Sequence, residues 1–308
     1  MLALDFSQKS LDVQRNVVIE EFKQRYFNNP YGDIWLKLRP LAYKVHPYQW
    51  PTIGKNIDHI AGASLEEVED FFHRFYAPDN AILSISGNIT DEKALELVKK
   101  WFGDIPPARY KRKALPMEPQ QTEERRLVCE HNKVPADAIY KVYHMGDRRS
   151  DNFYTCDTIS DILSNGQSSR LYINLIKNGK LFSEVDAYIT GDMDPGLFIF
   201  SGKLSEGVAI EEAEAAIQNE IDHFIEDPIS ERELQKVINK TEARISYSEI
   251  NYQGKSANLA FFDYLGDVNL INSESTRYAE VSLDSIKQTA RELFSAKNCS
   301  TLWYLKDK

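Results

Sequence analysis

Residues 14–22, QRNVVIEEF, set two adjacent glutamates behind a Val-Val-Ile run. Neighbouring helical residues point about 100° apart, so only one of Glu20 and Glu21 can share a face with that run. Such a glutamate reads either as a solvated helix edge or as one carboxylate of a site. A zinc site would need companions, about three protein ligands besides water. The six histidines are His46, His59, His73, His131, His144 and His223, and none has a second histidine four residues on. HFIED (223–227) comes nearest to a paired motif, with Asp227 where the second histidine would stand, and reads as a solvated helix face. His46 precedes Pro47 and reads as a packing or turn residue. GKS (254–256) hints at a phosphate loop, but Glu249 occupies the place of the first glycine of that motif. Cys129, Cys156 and Cys299 are odd in number, widely spaced and without a C-x-x-C pair, so they read as buried free thiols.

The chain that must position these groups has 308 residues, 42% of them hydrophobic, enough for more than one core. A net charge of −10 argues against a nucleic-acid partner, since no basic excess exists to neutralise phosphates. No stretch approaches the roughly 18 apolar residues of a membrane span, and MLALDFSQKS does not read as a signal peptide. The compartment stays open between cytoplasm and periplasm. The densest basic cluster, RYKRK (109–113), lies among Pro106, Pro107 and Pro116 and reads as a solvated linker.

Periodicity predicts a helix over 10–28, ended by NNPYGD (28–33). Residues 31–63 are mixed and punctuated by proline. SLEE (64–67) is a capping box that opens a helix with Leu65, Val68, Phe71, Phe72 and Phe75 inward. APDN (77–80) stops it, AILSISGNI (81–89) alternates as a strand, and a helix follows over 91–102. Beyond the proline-rich stretch come strands near 125–131 and 137–144, helices over 151–165 and 168–178, and a hairpin about DMDPG. Helices over 209–226, 230–250 and 283–296 and a strand over 299–305 complete the pattern.

The last of these units copies an earlier one. SLEEVEDFFHRFYAPDNAILSIS (64–86) lies over SLDSIKQTARELFSAKNCSTLWY (282–304) without a gap, matching cap, apolar face and asparagine stop. The expected organisation is α+β, two tandem homologous domains, each a mostly antiparallel sheet packed with helices. Residues 1–105 form the C-terminal part of the first domain, 106–121 a linker and 122–308 the second domain. The repeat spacing leaves the first domain short of roughly 100 residues at its N-terminus.

QRNVVIEEF (14–22), HPYQWPTIG (46–54), FYAPDNAILSISGNI (75–89) and NGQSSRLYINLIKNGKLFSEVDAYI (165–189) together resemble the pitrilysin/insulinase-like zinc peptidases, across nearly the whole chain. The resemblance implies a zinc ion held by two histidines of an inverted H-x-x-E-H motif, whose glutamate acts as general base toward the zinc-bound water, and by a glutamate from a later helix. That glutamate matches Glu21, the third ligand, which is not sufficient alone. The acidic position seven residues before it matches Gln14, a departure that weakens support around the metal. H-x-x-E-H is absent, so no catalytic residue falls in this chain and the motif is expected in the missing segment. Family members often carry an Arg and a Tyr, seven apart, in the second domain; the matching positions are Ile176 and Ser183, and neither can act as Arg or Tyr would at an oxyanion.

Two functions follow from the resemblance. In one, the chain is part of a zinc metalloendopeptidase that hydrolyses peptides in a chamber between its two domains. Zinc then belongs to the complete protein, and 1–308 alone is inactive and binds none. In the other, it is a non-catalytic subunit or peptide-binding partner of an active family member, as a homo- or hetero-dimer.

Overall fold

The computed structural model describes residues 4–108, 113–131 and 134–307. Most of RYKRK and the first three residues of MLALDFSQKS lie outside them. The elements in chain order are α1 (Gln8–Phe22), α2 (Ile34–Ala42), α3 (Ile57–Gly62), α4 (Leu65–Phe75), α5 (Asp91–Phe102), β1 (Arg125–His131), β2 (Ala138–His144), α6 (Phe153–Ser164), β3 (Phe182–Ile189), β4 (Leu197–Leu204), α7 (Ile210–Glu226), α8 (Glu231–Ser248), α9 (Tyr252–Leu265), α10 (Glu274–Ala279), α11 (Leu283–Leu293) and β5 (Cys299–Lys306). Wider π-helical turns extend α1 through Lys23–Phe27 and replace the expected helix near 168–178 over Tyr172–Asn178. Among the described residues no helix is long and apolar enough to cross a membrane.

The fold is α+β, in two compact units built from non-contiguous stretches. One holds residues 1–29, 50–115 and 245–273; the other holds 30–49, 116–244 and 274–308.

The second unit carries a five-stranded sheet in the order β1-β5-β2-β4-β3, parallel between β1 and β5 and antiparallel elsewhere. β5 therefore lies inside the sheet, bonded along both edges. One face is covered by α2, whose Ile34, Leu38 and Ala42 join Tyr43 against Ala138, Val142, Leu197, Ile199, Leu302 and Tyr304. Sequence pattern alone left α2 unassigned because Pro40 sits inside it; the packed face outweighs the lost backbone bond of a late-turn proline. The opposite face takes α6, α7 and α11, with the Phe294 ring against Tyr143, Phe198 and Phe200. The linker's end is pinned here too, since Gln121 is buried, donates to the Cys299 carbonyl at 2.6 Å and accepts from Ser300 Oγ at 3.1 Å.

Among its described residues the regular elements of the first unit are all helices. The strand expected over 81–89 is not formed: the segment is extended, with Ala81 at φ −135 and ψ 145, but pairs with no other strand. Alternation prepares a chain for a sheet, and a sheet exists only where neighbours take up the backbone groups.

The internal copy is longer than sequence matching reveals. Both α4 and α11 open on capping boxes, at Ser64 and Ser282. α2 and α9 begin at Ile34 and Tyr252, the same 218 residues apart as Leu65 and Leu283. α3 precedes α4 as α10 precedes α11, and α1 precedes α2 as α8 precedes α9. The units exchange equivalent pieces: α2 belongs with the sheet of the second unit, while its copy α9 belongs to the first.

Gly202 on β4 sits under the Phe182 ring, where an added Cβ would approach within 2.5 Å. Gly202→Val is expected to lower stability by about 1–3 kcal/mol, read as a lower urea midpoint at unchanged slope.

Candidate functional site

α1 starts where Ser7 Oγ accepts from the Ser10 amide at 3.3 Å. Leu11, Phe22 and Tyr26 are its buried residues and those of the turn that follows, with the Phe22 and Tyr26 rings 4.8 Å apart. Arg15 ties the helix to α3 and the residue after it, donating to the carbonyls of Ala61 and Ala63 at 3.0 and 3.1 Å. With that face held, Gln14 and Glu21 both stand in solvent. Seven residues are close to two turns, so the two share a helix face. Arg25 Nη2 lies 3.7 Å from Glu21 Oε1, an exposed pair of little energetic weight.

Among the described residues no group of three or more His, Cys, Asp or Glu side chains could hold a metal ion. One exposed carboxylate with a neutral amide beside it does not fit zinc, which takes three protein ligands in a hydrolytic site. Glu21 is thus presented by α1 without companions from the described chain.

The two second-domain positions are occupied differently. Ile176 is half-buried on the π-helical turn over Tyr172–Asn178. Ser183 is the extra residue of a bulge in β3, where the register shifts between Phe182 and Glu184. Its hydroxyl donates to the Lys203 carbonyl at 3.2 Å, so it secures the bulge.

Other singled-out residues have structural partners. His46 is buried; its Nδ1 accepts from the Tyr48 amide at 3.2 Å and its Nε2 faces Asp194 Oδ2 at 3.5 Å. Glu118 accepts from the amides of Lys44, Val45 and His46 at 2.7, 2.8 and 2.8 Å. Burial works against its charge, but those three donors hold its carboxyl below the usual range. His223 and Glu226 of HFIED are exposed on α7 while Phe224 is buried. GKS opens α9, with Asn251 Oδ1 accepting from the Gly254 amide at 2.6 Å. Cys156 and Cys299 are buried, and burial pushes the Cys156 thiol up to about 12, where no thiolate forms near neutrality. Cys129 corrects the expectation of a buried thiol, being only half-buried on the edge strand β1.

Sequence reading gave no sign of the charge cluster beside a cavity of about 510 Å³ in the second unit. Glu214 of α7 accepts from both terminal guanidinium nitrogens of Arg126, from Trp303 Nε1 at 2.7 Å, and from the buried Lys141 Nζ at 3.4 Å. Three residues supply four donors to that carboxylate, so the cluster joins β1, β2 and β5 to α7. Its members lie far apart in sequence, and no local pattern could have joined them.

Arg170 joins a carboxylate and a carbonyl, donating to Glu233 Oε1 at 2.9 Å and Oε2 at 3.2 Å and to the Pro228 carbonyl at 3.5 Å. Glu233 also closes the capping box of α8 with Ser230. Burial opposes its charge, yet the bonds from Arg170 and Ser230 outweigh it and bring its carboxyl to about 2.

A family profile described as the Peptidase M16 inactive domain matches residues 62–241. The zinc protease PqqE of Helicobacter pylori is 26% identical over 312 aligned positions, which span 98% of this chain and 68% of that protein. A crystal structure of a protease from Helicobacter pylori superposes with a TM-score of 0.90 at 23% identity, covering 98% of this chain and 73% of the other. The M16 inactive domain from Pseudomonas fluorescens superposes with a TM-score of 0.86 at 14% identity, covering 99% and 71%.

Two outcomes test the local geometry. Glu21→Gln is expected to leave the stability of 1–308 within about 0.5 kcal/mol, measured by thermal unfolding, because the side chain buries nothing. Glu233 has a folded value below its unfolded value of 4.5. Its stabilisation is therefore complete above pH 4.5 and is lost as pH falls toward 2. Glu233→Gln is expected to lower stability at pH 7 by about 1–2 kcal/mol, solvent screening included. Urea titrations at several pH values should show that difference shrinking across the same window.

Proposed function

Because the chain belongs to the M16, pitrilysin/insulinase-like, peptidase family, we propose that residues 1–308 are part of a zinc metalloendopeptidase. On this reading residues 1–105 complete a zinc-site domain, 122–308 form its second domain, and extended peptides are hydrolysed between the two. Glu21 is the third zinc ligand, and an H-x-x-E-H segment preceding Met1 supplies the rest.

The observation that carries this reading is the state of Glu21. By the sequence resemblance Glu21 matches the family's ligand position, and α1, fixed by Leu11, Phe22 and Arg15, leaves its carboxylate open to solvent. The described residues do not by themselves fit a zinc ion, so on this reading the hydrolytic step belongs to a longer polypeptide. The match to 68% of the Helicobacter pylori relative is in keeping with that.

Purified 1–308 is expected to show no chelator-sensitive cleavage of an unfolded peptide. The chain extended by the upstream reading frame is expected to show it, and Glu21→Gln in that longer chain should reduce it at least about 100-fold, since even outer partners of a metal contribute 10–100-fold. Zinc-stimulated cleavage by 1–308 alone would overturn the proposal.

A further inference from the structure

The sheet of the second unit ends on two edge strands, β3 and β1, that are built differently. At the end of β3 the Thr190 amide donates to the Leu197 carbonyl at 2.9 Å, so over 184–190 the even-numbered residues turn their backbone groups to β4 and the odd-numbered ones outward. One outward carbonyl, that of Ala187, accepts from Ser164 Oγ at 3.1 Å. The bulge at Ser183 breaks the line of the strand, and Glu184 and Asp186 give it charges of one sign. Such devices keep an edge from pairing. β1 has neither bulge nor proline: it runs in register with β5 from Arg125 to His131, and its charges are of both signs.

The phase of β1 decides what a partner strand would meet. The His131 carbonyl accepts from the Asp307 amide at 3.2 Å, just past the end of β5, so Arg125, Leu127, Cys129 and His131 turn their backbone groups to β5. Arg126, Val128 and Glu130 therefore turn theirs outward. Their side chains share one face and are exposed, Val128 at 55%. With an antiparallel partner, outward-facing residues meet as hydrogen-bonded pairs. Two copies of β1 about a twofold axis at Val128 satisfy this condition. Val128 then meets Val128, and Arg126 of each copy meets Glu130 of the other. A slide of one residue sets inward groups against outward ones. A slide of two sets Glu124 against Glu130 in one direction and Val128 against Glu130 in the other. On the opposite face of the matched register Leu127 meets Cys129, both of them half-buried against the α2 core.

We propose that β1 is a dimerisation edge, through which two copies of the chain join their sheets into one. A second copy is the fitting occupant because the complementarity is to β1 itself. Arg126 and Glu130 stand at equal distances on either side of Val128, and a twofold axis repeats them as two opposite-charge pairs. Arg126 keeps its bonds to Glu214 and Glu124, which use only part of its five N–H groups. Pairing covers Val128, the register neighbour of Trp303, and continues the Leu127 and Cys129 layer across the axis. A strand of 7 residues is a small patch, so the association belongs to the weak, reversible class. The inference uses no zinc or peptide chemistry and stands apart from the peptidase reading.

Sedimentation equilibrium of 1–308 from about 1 to 300 µM should show the mean mass rising from one chain toward two. Cysteine pairing in a Cys129→Ser background reads the register. Val128→Cys should give a disulfide-linked dimer under mild oxidation, since hydrogen-bonded partners stand about 5.5 Å apart at Cα, within the span of a disulfide. Glu130→Cys should not, because its two copies would lie about 14 Å apart along the strands. Val128→Pro removes an outward-directed amide and should weaken association at least about 10-fold while shifting the melting temperature by less than about 2 °C. Glu130→Arg sets like charges against Arg126 and should also weaken association at least about 10-fold. A single-chain mass at every concentration, which would leave the edge to a foreign strand, would overturn the proposal. So would linkage through Glu130→Cys as ready as through Val128→Cys, or association unaltered in both Val128→Pro and Glu130→Arg.

Discussion

A strand inside a sheet is held along both edges, and the architecture of this chain turns on where that condition is met. β5 meets it between β1 and β2, and the second unit organises around it. Its side chains alternate between the α2 layer and the layer of α6, α7 and α11, so one strand links two cores. The copy at 81–89 has the same preceding helix, the same cap and the same asparagine stop, yet it pairs with no strand among the described residues. The difference between the copies lies in the neighbours, because a backbone group in an extended segment gains nothing over water until another strand replaces that water.

The exchange of α2 and α9 gives the two units their other common feature. Each contains a helix contributed by the other's repeat, and in the second unit that helix seals a sheet face through Ile34, Leu38 and Ala42. Tyr304 of β5 donates to Asp33 Oδ1 at 2.5 Å, so the entry to α2 is fixed to the sheet by a hydrogen bond as well as by packing. Burial of Tyr304 and its bond to Asp33 both push the phenol's pKa above its ordinary value, which keeps it a donor at any ordinary pH. The capping of 44–46 by Glu118 then ties the far end of the same segment to the stretch that begins the second unit's sheet.

The polar groups divide by this same logic. Glu214, Glu233 and Glu118 are engaged by several donors each, and their charges serve as joints between elements. Glu21 is held outward by α1, with the Arg25 guanidinium 3.7 Å from its carboxylate. The proposed role of that open carboxylate rests on the family resemblance; the same side chain in an unrelated helix would be read as solvated surface.

Much of the fold is legible in the residues because its causes are local. Ser64, Ser230 and Ser282 start helices by accepting from amides three residues on, and the hairpin around DMDPG is set by alternation and turn chemistry. The family and the α+β class were also readable, since motif spacing lies along the chain. Other features depended on contacts between distant residues. Nothing near Pro40 announces that α2 will cover a sheet more than 80 residues later. Nothing in AILSISGNI distinguishes a strand with partners from one without. The Arg126, Lys141, Glu214 and Trp303 cluster draws on four separate elements. Local sequence determines which conformation a segment is ready to adopt, whereas pairing and burial decide which conformations are kept, because the water displaced from a backbone edge or an apolar face is displaced by some other part of the chain.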